Sequence, residues 1–90
     1  MFSVVIPTFN REKKVLDAVL SAQNFFKGTQ YEIIIVDDCS RDRTIEILES
    51  TFKEPIEKKI IIIIKNFQNR GVNFARTKGI DTASGPHVIL

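Results

Sequence analysis

The sequence predicts an α/β fold built on one parallel sheet. Two observations carry this prediction: short runs of β-branched residues recur along the chain, and segments with apolar residues at helical spacing lie between them. The connections are short and contain turn-forming residues. Ninety residues are enough for one small domain, so residues 1–90 are treated as a single unit.

The first strand and helix are predicted over residues 2–26. Residues 2–6 form a β-branched run closed by Pro7, which is typical of a buried strand with a turn at its end. Residues 11–26 place apolar side chains at helical spacing. Asn10 is available as the N-cap of this helix, and Gly28 lies beyond its end as a stop.

The second strand and helix follow the same order. Residues 31–36 are apolar at nearly every position, as expected of a strand covered on both faces. Residues 44–52 set Ile45, Leu48 and Phe52 along one helical face, and we expect the helix to end before Pro55.

The last third of the chain contains a strand, a helix and the beginning of another strand. Residues 60–64 are five consecutive isoleucines, which leave no polar face for a helix and lose rotamer freedom in one. A helical pattern covers residues 71–83, and residues 87–90 begin a fourth strand. The order βαβαβαβ predicts a Rossmann-like parallel sheet with right-handed crossovers and helices on both faces.

Composition restricts the function classes. The net charge is only +2 and the basic residues are scattered, so nucleic acid is not an expected partner. The longest apolar run, residues 60–64, is far shorter than the roughly 20 residues that span a bilayer. We expect a cytoplasmic protein, with the cytoplasmic face of a membrane as the alternative location. Cys39, the single cysteine, is interpreted as a small packed residue.

Candidate site residues follow the predicted strands, because ligands of parallel sheets bind beyond the carboxyl ends of the strands. Asp37 and Asp38 leave the second strand together, and two unpaired carboxylates cannot both be buried. They either face a cleft or a cation, or they cap the following helix. Phe9, just past the first strand, either packs in the core or stacks on a base.

Three segments are more specific than this pattern. They read SVVIPTFNR at residues 3–11, IVDDCSRDRT at residues 35–44 and NRGVNFARTKGI at residues 69–80. In order and spacing they closely resemble three successive signatures of family 2 glycosyltransferases, over essentially the whole chain. The resemblance implies the N-terminal half of a GT-A domain and a donor that is a nucleotide-diphosphate sugar, commonly of uridine.

The resemblance also implies roles for individual residues. Pro7, Thr8 and Phe9 correspond to one wall of the nucleotide pocket, with Phe9 stacked on the base. Asp38 corresponds to a carboxylate that meets the base, which suits the N–H donor of uracil. Arg76 corresponds to an arginine near the nucleotide, and a salt bridge with Asp37 or a neighbouring acid is its alternative role.

The other polar residues of the second signature are interpreted as structural. Asp37 is expected to organise the turn that leads into the second helix. Ser40, Asp42 and Thr44 match a capping pattern. Thr77 departs from the asparagine that the family usually has after its arginine.

Metal and acceptor are implied only for the full-length enzyme. Family 2 enzymes hold Mg²⁺ or Mn²⁺ through an Asp-rich motif after the fourth strand, and this sequence ends at Leu90, where that motif should begin. The catalytic base lies further downstream, so no catalytic residue or metal ligand is expected here and the 90 residues alone should be inactive. The acceptor is an unknown carbohydrate or lipid-linked hydroxyl, and exposed strand edges predict some self-association.

Two rival interpretations use the same residues. A receiver-like Mg²⁺-binding domain would suit paired aspartates, but here they follow the second strand and no third aspartate follows residues 60–64. A non-catalytic nucleotide-binding module would use the same pocket without chemistry.

Overall fold

A computed structural model describes residues 1–85 and 87–89. The strands are β1 (Phe2–Thr8), β2 (Tyr31–Asp37), β3 (Ile61–Lys65) and β4 (His87–Ile89). The helices are α1 (Val15–Phe26), α2 (Thr44–Thr51), α3 (Lys53–Glu57) and α4 (Val72–Thr82).

The four strands form one sheet in the order β3-β2-β1-β4, with every pair parallel. The predicted α/β class and parallel sheet are therefore confirmed. The chain moves outward from β1 to β3 and then returns to the other side of β1 to form β4. Strand order reverses at β1, and this is the place where open parallel sheets hold ligands.

Helices cover both faces of the sheet, as predicted. Alternate strand residues point to opposite faces, so the unbroken apolar run of β2 supplies both cores. Helices α1, α2 and α3 cover one face, and α4 covers the other. The buried residues of the first core are Val4, Val15, Val19, Phe26, Ile33, Ile35, Leu48, Phe52 and Ile61. Those of the second are Ile34, Val36 and Ala75.

Close packing of α4 on the sheet depends on Gly79. A Cβ atom at this position would overlap the side chain of Val5 in β1. The absence of a side chain lets the helix approach the strand and brings its N-terminus over the carboxyl ends of β1 and β2.

The connection between β1 and α1 differs from its prediction. Strand β1 continues through Pro7 to Thr8, whose carbonyl accepts the N–H of Asp38 on the β2 side. Pro7 faces the opposite side, where the described residues of β4 pair with residues 2–4, so its missing N–H interrupts none of these pairs. Helix α1 begins at Val15, and its N-cap position is Lys14. Asn10 is not the N-cap: it has φ 50 and its Oδ1 accepts the N–H of Arg41 at 2.8 Å. This tertiary hydrogen bond replaces the expected local one.

Helix α2 ends at Thr51, before Pro55, as predicted. A short helix that was not predicted, α3, follows it and contains Pro55 in its first turn, where the missing N–H would have no helical partner. Strand β3 begins at Ile61 because Lys59, at φ 60, turns the chain just before it. The predicted end of the fourth strand at Leu90 lies outside the described residues.

A buried polar network connects β4 to the sheet. Glu32 is buried in β2, and its Oε2 accepts hydrogen bonds from the hydroxyl of Ser3 and the N–H of Ser84, both at 2.7 Å. The Ser3 Oγ in turn accepts the N–H of Gly85 at 3.0 Å. The turn before β4 is thereby attached to the paired β1 and β2 strands.

Within residues 1–85 and 87–89, no helix combines the length and apolar character needed to cross a bilayer.

Candidate functional site

A pocket of about 250 Å³ opens where β1 and β2 end and α4 begins. Its position matches the reversal of strand order at β1. The lining residues are Pro7, Thr8, Phe9, Arg11, Asp38, Asn69, Gly71, Val72 and Ala75. Four of the five residues predicted from the sequence to contact a nucleotide, namely Pro7, Thr8, Phe9 and Asp38, are thus brought together on one pocket.

Asp38 occupies the floor of this pocket and is 5% exposed. Its Oδ1 accepts the backbone N–H of Arg70 at 2.8 Å and the side-chain N–H of Asn66 at 3.2 Å. Its Oδ2 accepts the N–H of Gly71 at 2.8 Å. Since each carboxylate oxygen has two acceptor positions, Oδ2 keeps one for a further donor.

The same contacts set the charge of Asp38. Burial would raise the pKa of its carboxyl, but the N–H donors of Arg70 and Gly71, the amide of Asn66 and the charge of Arg70 together hold the pKa below its ordinary value. Asp38 is therefore an anionic, oriented acceptor at neutral pH.

Phe9 lines the pocket and is not packed in the core. Its ring is 41% exposed and lies among polar residues of the β1–α1 loop. A half-exposed ring beside a carboxylate can cover the face of a planar ligand while the carboxylate accepts from its edge. Phe9 is thus not part of either buried core.

Thr8 adds a second polar feature to the pocket wall. Its side chain is 5% exposed, and its Oγ1 has no hydrogen-bond partner among the described residues. A buried hydroxyl without a partner is costly, so such atoms often mark a site where a ligand or water supplies the missing bond.

Asp37 organises the turn after β2 instead of lining the pocket. Its two carboxylate oxygens accept the N–H of Ser40 at 2.9 Å and the hydroxyl of the same residue. Ser40 Oγ also accepts the N–H of Asn10 at 2.8 Å. The Asp37 turn therefore supports the loop that carries Phe9.

A second contact between the same two loops involves Asp42. One of its oxygens accepts the N–H of Glu12 at 3.2 Å, and the other accepts the N–H of Thr44 at 3.0 Å. Burial would raise the pKa of Asp42, but the donors of Thr44 and Glu12 outweigh it and lower the pKa. The N-cap position of α2 is Arg43, which makes no side-chain cap bond, whereas Asp42 bonds the N–H of the first helical residue and the preceding loop.

Arg76 lies elsewhere. It is exposed on α4 and is not among the residues that line the pocket. In the part of the chain that the structure describes, no ion pair joins it to Asp37. Its predicted contact with a nucleotide remains a prediction.

Sequence reasoning did not select several lining residues. Arg11 directly follows Phe9 and Asn10, and this position in the sequence could have indicated that Arg11 also lines the pocket. Gly71, at φ 88, points its backbone N–H at Asp38, and nothing in the local sequence reports a partner so distant along the chain. Val72 and Ala75 reach the pocket only because α4 packs across the sheet.

The described residues do not form a metal site. Over residues 1–85 and 87–89, no group of three or more His, Cys, Asp or Glu side chains is positioned to hold an ion. The pocket chemistry available here is a ring face, an anionic acceptor, a hydroxyl and a guanidinium.

Comparisons with known proteins identify the family of this chain. A family model described as Glycosyl transferase family 2 matches residues 3–90. The poly(ribitol-phosphate) β-N-acetylglucosaminyltransferase TarS of Staphylococcus aureus is 33% identical over 90 residues, which are 99% of this chain and 15% of TarS. The chain therefore spans less than a sixth of that relative.

Solved structures give the same result. The structure of S. aureus TarS 1–349 superposes with a TM-score of 0.80 at 31% identity, covering 97% of this chain and 25% of that one. A TarS 1–349 complex with UDP-GlcNAc matches at a TM-score of 0.76 and 28% identity over the same 97%, with 24% of its own chain covered. The mannosyltransferase PcManGT from Pyrobaculum calidifontis, in complex with GDP-Man and Mn²⁺, matches with a TM-score of 0.79 over 97% of this chain and 25% of that one. Its sequence identity is 19%, so this match supports the fold alone. The chain has the fold of the N-terminal part of GT-A glycosyltransferases.

Proposed function

This chain belongs to glycosyl transferase family 2, and we propose that its pocket binds the nucleotide of a nucleotide-diphosphate sugar, most simply a UDP-sugar. The whole protein then transfers the sugar to an acceptor hydroxyl on a carbohydrate or a lipid-linked molecule. One observation carries the proposal: Phe9 and Asp38 line the same pocket at the reversal of strand order.

The proposed binding mode uses the groups that the pocket leaves free. The base lies against the ring of Phe9, and its N–H donates to the remaining acceptor position of Asp38 Oδ2. Because Asp38 is held by Arg70 and Gly71, it is oriented before the ligand arrives and loses little freedom on binding. Thr8 and Pro7 complete this wall, and Arg76 is retained as a further nucleotide contact.

The TarS complex with UDP-GlcNAc supports a uridine donor by relationship, because that structure is 28% identical to this chain. The enzyme name of TarS specifies a poly(ribitol-phosphate) acceptor for that protein. No residue described here distinguishes among acceptors, so we extend only the donor class to this protein.

Metal is proposed for the whole protein and not for these residues. Mg²⁺ or Mn²⁺ would neutralise charge on the donor diphosphate. We propose this ion on family membership alone and assign it no ligand among the described residues.

Calorimetric titration with uridine and UDP tests the proposal through Phe9→Ala. Loss of base stacking is worth about 1–3 kcal/mol, so we expect affinity for both ligands to fall at least about fivefold. Phe9→Tyr keeps the ring and should retain most of the affinity. Phe25→Ala removes an 80% exposed ring on α1, away from the pocket, and serves as the matched control.

The proposal fails if the protein binds neither uridine nor guanosine nucleotides, or if Phe9→Ala and Phe25→Ala bind with the same affinity. Transfer of radiolabelled sugar by the full-length protein, with none by residues 1–90 alone, would separate the enzyme from a non-catalytic binding module.

A further inference from the structure

Arg11 lies where three cavities meet at the carboxyl end of β1. It lines the pocket that contains Phe9 and Asp38. It also lines a groove of about 160 Å³ that runs along β1 to Lys14 at the start of α1, and a third cavity of about 410 Å³ beside Lys13 and Lys14. A ligand leaving the pocket in this direction passes a basic side chain first.

The backbone of Arg11 is held while its side chain is exposed. Its N–H donates to Thr44 Oγ1 at 3.1 Å, and its carbonyl accepts the N–H groups of Lys14 at 2.9 Å and Val15 at 2.8 Å. Among the described residues, the Arg11 guanidinium takes part in no ion pair. A fixed Cα with an available guanidinium is suited to bind an incoming anion.

Acidic and basic side chains are both present around Arg11. Asp42 accepts from the backbone of Glu12 and Thr44, and its carboxylate holds two loops together. Glu12 and Asp17 are the other acids of this region, set against Arg11, Lys13 and Lys14. These three acids balance the three bases around the mouth, and Arg11 is the base that lines the pocket containing Phe9 and Asp38.

Charge and volume together orient a nucleotide in this space. Within the described lining, Asp38 is the acid and Arg11 is the base. A volume of about 250 Å³ lies just below the usual range for whole small-molecule ligands, about 300–1,000 Å³, so a nucleoside fits and its phosphates extend outside. The phosphates must also avoid the anionic Asp38, because like charges repel.

We infer that Arg11 binds the diphosphate of the nucleotide donor and that Lys14 extends this anion subsite along the start of α1. The inference rests on the proposed nucleotide function. A guanidinium can donate two parallel hydrogen bonds to a phosphate, whereas Lys14 contributes a single point charge. The subsite consists of side chains in this chain and acts in addition to any metal held elsewhere.

The test compares uridine, UMP and UDP in calorimetric titrations of the full-length protein in EDTA, so that divalent ions do not contribute. We expect the wild-type protein to bind UDP more tightly than uridine. Arg11→Gln should weaken UDP binding by about tenfold or more and change uridine binding by less than about twofold. Arg11→Lys should fall between. Arg43→Gln, which removes the same charge from an exposed arginine paired with Glu46, is the matched control.

The outcomes distinguish failure of the Arg11 assignment from failure of the proposed nucleotide-binding function. If the protein binds uridine and UDP equally in EDTA, or if Arg11→Gln weakens both to the same extent, the Arg11 assignment is overturned and the nucleotide pocket stands. A selective loss of UDP affinity in Arg76→Gln but not in Arg11→Gln overturns it also. If neither a nucleoside nor a nucleotide binds, the proposed function is wrong, and the Arg11 assignment that rests on it is wrong as well.

Discussion

Asp38 Oδ2 accepts the backbone N–H of Gly71 at 2.8 Å, joining the end of β2 to the first turn of α4. The neighbouring N–H of Arg70 donates to the other oxygen of the same carboxylate at 2.8 Å. One side chain therefore shapes the loop that closes the pocket and also presents an acceptor to the ligand. Substitutions at Asp38 will change stability and binding together.

Asp38→Asn is expected to lower both the free energy of unfolding and the affinity for UDP. The amide cannot accept on both atoms, so one of the N–H groups of Arg70 or Gly71 loses its partner, at a cost of about 2 kcal/mol in the free energy of unfolding. Urea unfolding measures that loss. Titration with UDP under strongly folding conditions should show affinity lost as well, and Asp38→Ala should bind no nucleotide.

Asp81→Asn, at an exposed position of α4, should leave stability and affinity unchanged. Unchanged UDP affinity in folded Asp38→Asn would contradict a contact between this carboxylate and the base.

Thr8→Val should stabilise the ligand-free protein. Valine has the shape of threonine without the hydroxyl that lacks a partner, so removing it should raise the free energy of unfolding by about 1 kcal/mol, or the midpoint of thermal unfolding by about 4–8 °C. Differential scanning calorimetry measures the shift. A lower midpoint would mean that the hydroxyl has a stabilising partner, such as an ordered water.

Acid stability should depend on Asp38 and Asp42. The pKa of each is lowered in the folded protein from an ordinary value of 3.8. Each ionised carboxylate therefore stabilises the folded protein fully at pH values above the pKa that it has in the unfolded chain. This stabilisation is lost as the pH falls through the lower pKa that the group has in the folded protein. The free energy of unfolding should decrease between about pH 5 and pH 2.

Urea unfolding at a series of pH values checks this dependence. Asp38→Asn should have a shallower slope over the same range, since it removes one of the titrating groups. An identical slope in the variant would show that other carboxyls account for the acid sensitivity.

Glu32→Ala should loosen the attachment of β4. The change removes the acceptor shared by Ser3 and Ser84 and leaves the buried hydroxyl of Ser3 without that acceptor, which costs about 1–3 kcal/mol. Hydrogen exchange at Ser84 and Gly85 should accelerate before the rest of the sheet responds. Glu57→Ala, at an exposed position of α3, is the control. Equal exchange rates in the two variants would contradict the role of Glu32.

Much of the architecture follows from local pattern. The five isoleucines of residues 60–64 and the apolar run of residues 31–36 can be buried strands because their side chains leave no polar face, and short connections between alternating strands and helices require a parallel sheet. The same reasoning places Phe9 and Asp38 at the carboxyl ends of adjacent strands, where the pocket is found.

The missed features depend on partners far along the chain. Asn10 looks like a helix cap locally, but its bonds go to Ser40 and Arg41, about thirty residues away. Helix α1 consequently begins at Val15.

By itself, the sequence determined the order of the four strands and of helices α1, α2 and α4, the parallel sheet and the edge at which a ligand would bind, because side-chain periodicity and β-branching act over a few residues. Only the tertiary structure decided how Asp38 is held by Arg70 and Gly71 and that Val72 and Ala75 line the pocket. These contacts form because α4 packs against β1 at Gly79. The packing brings backbone donors close to a carboxylate that lies more than thirty residues away in the sequence, and no local pattern predicts such a contact.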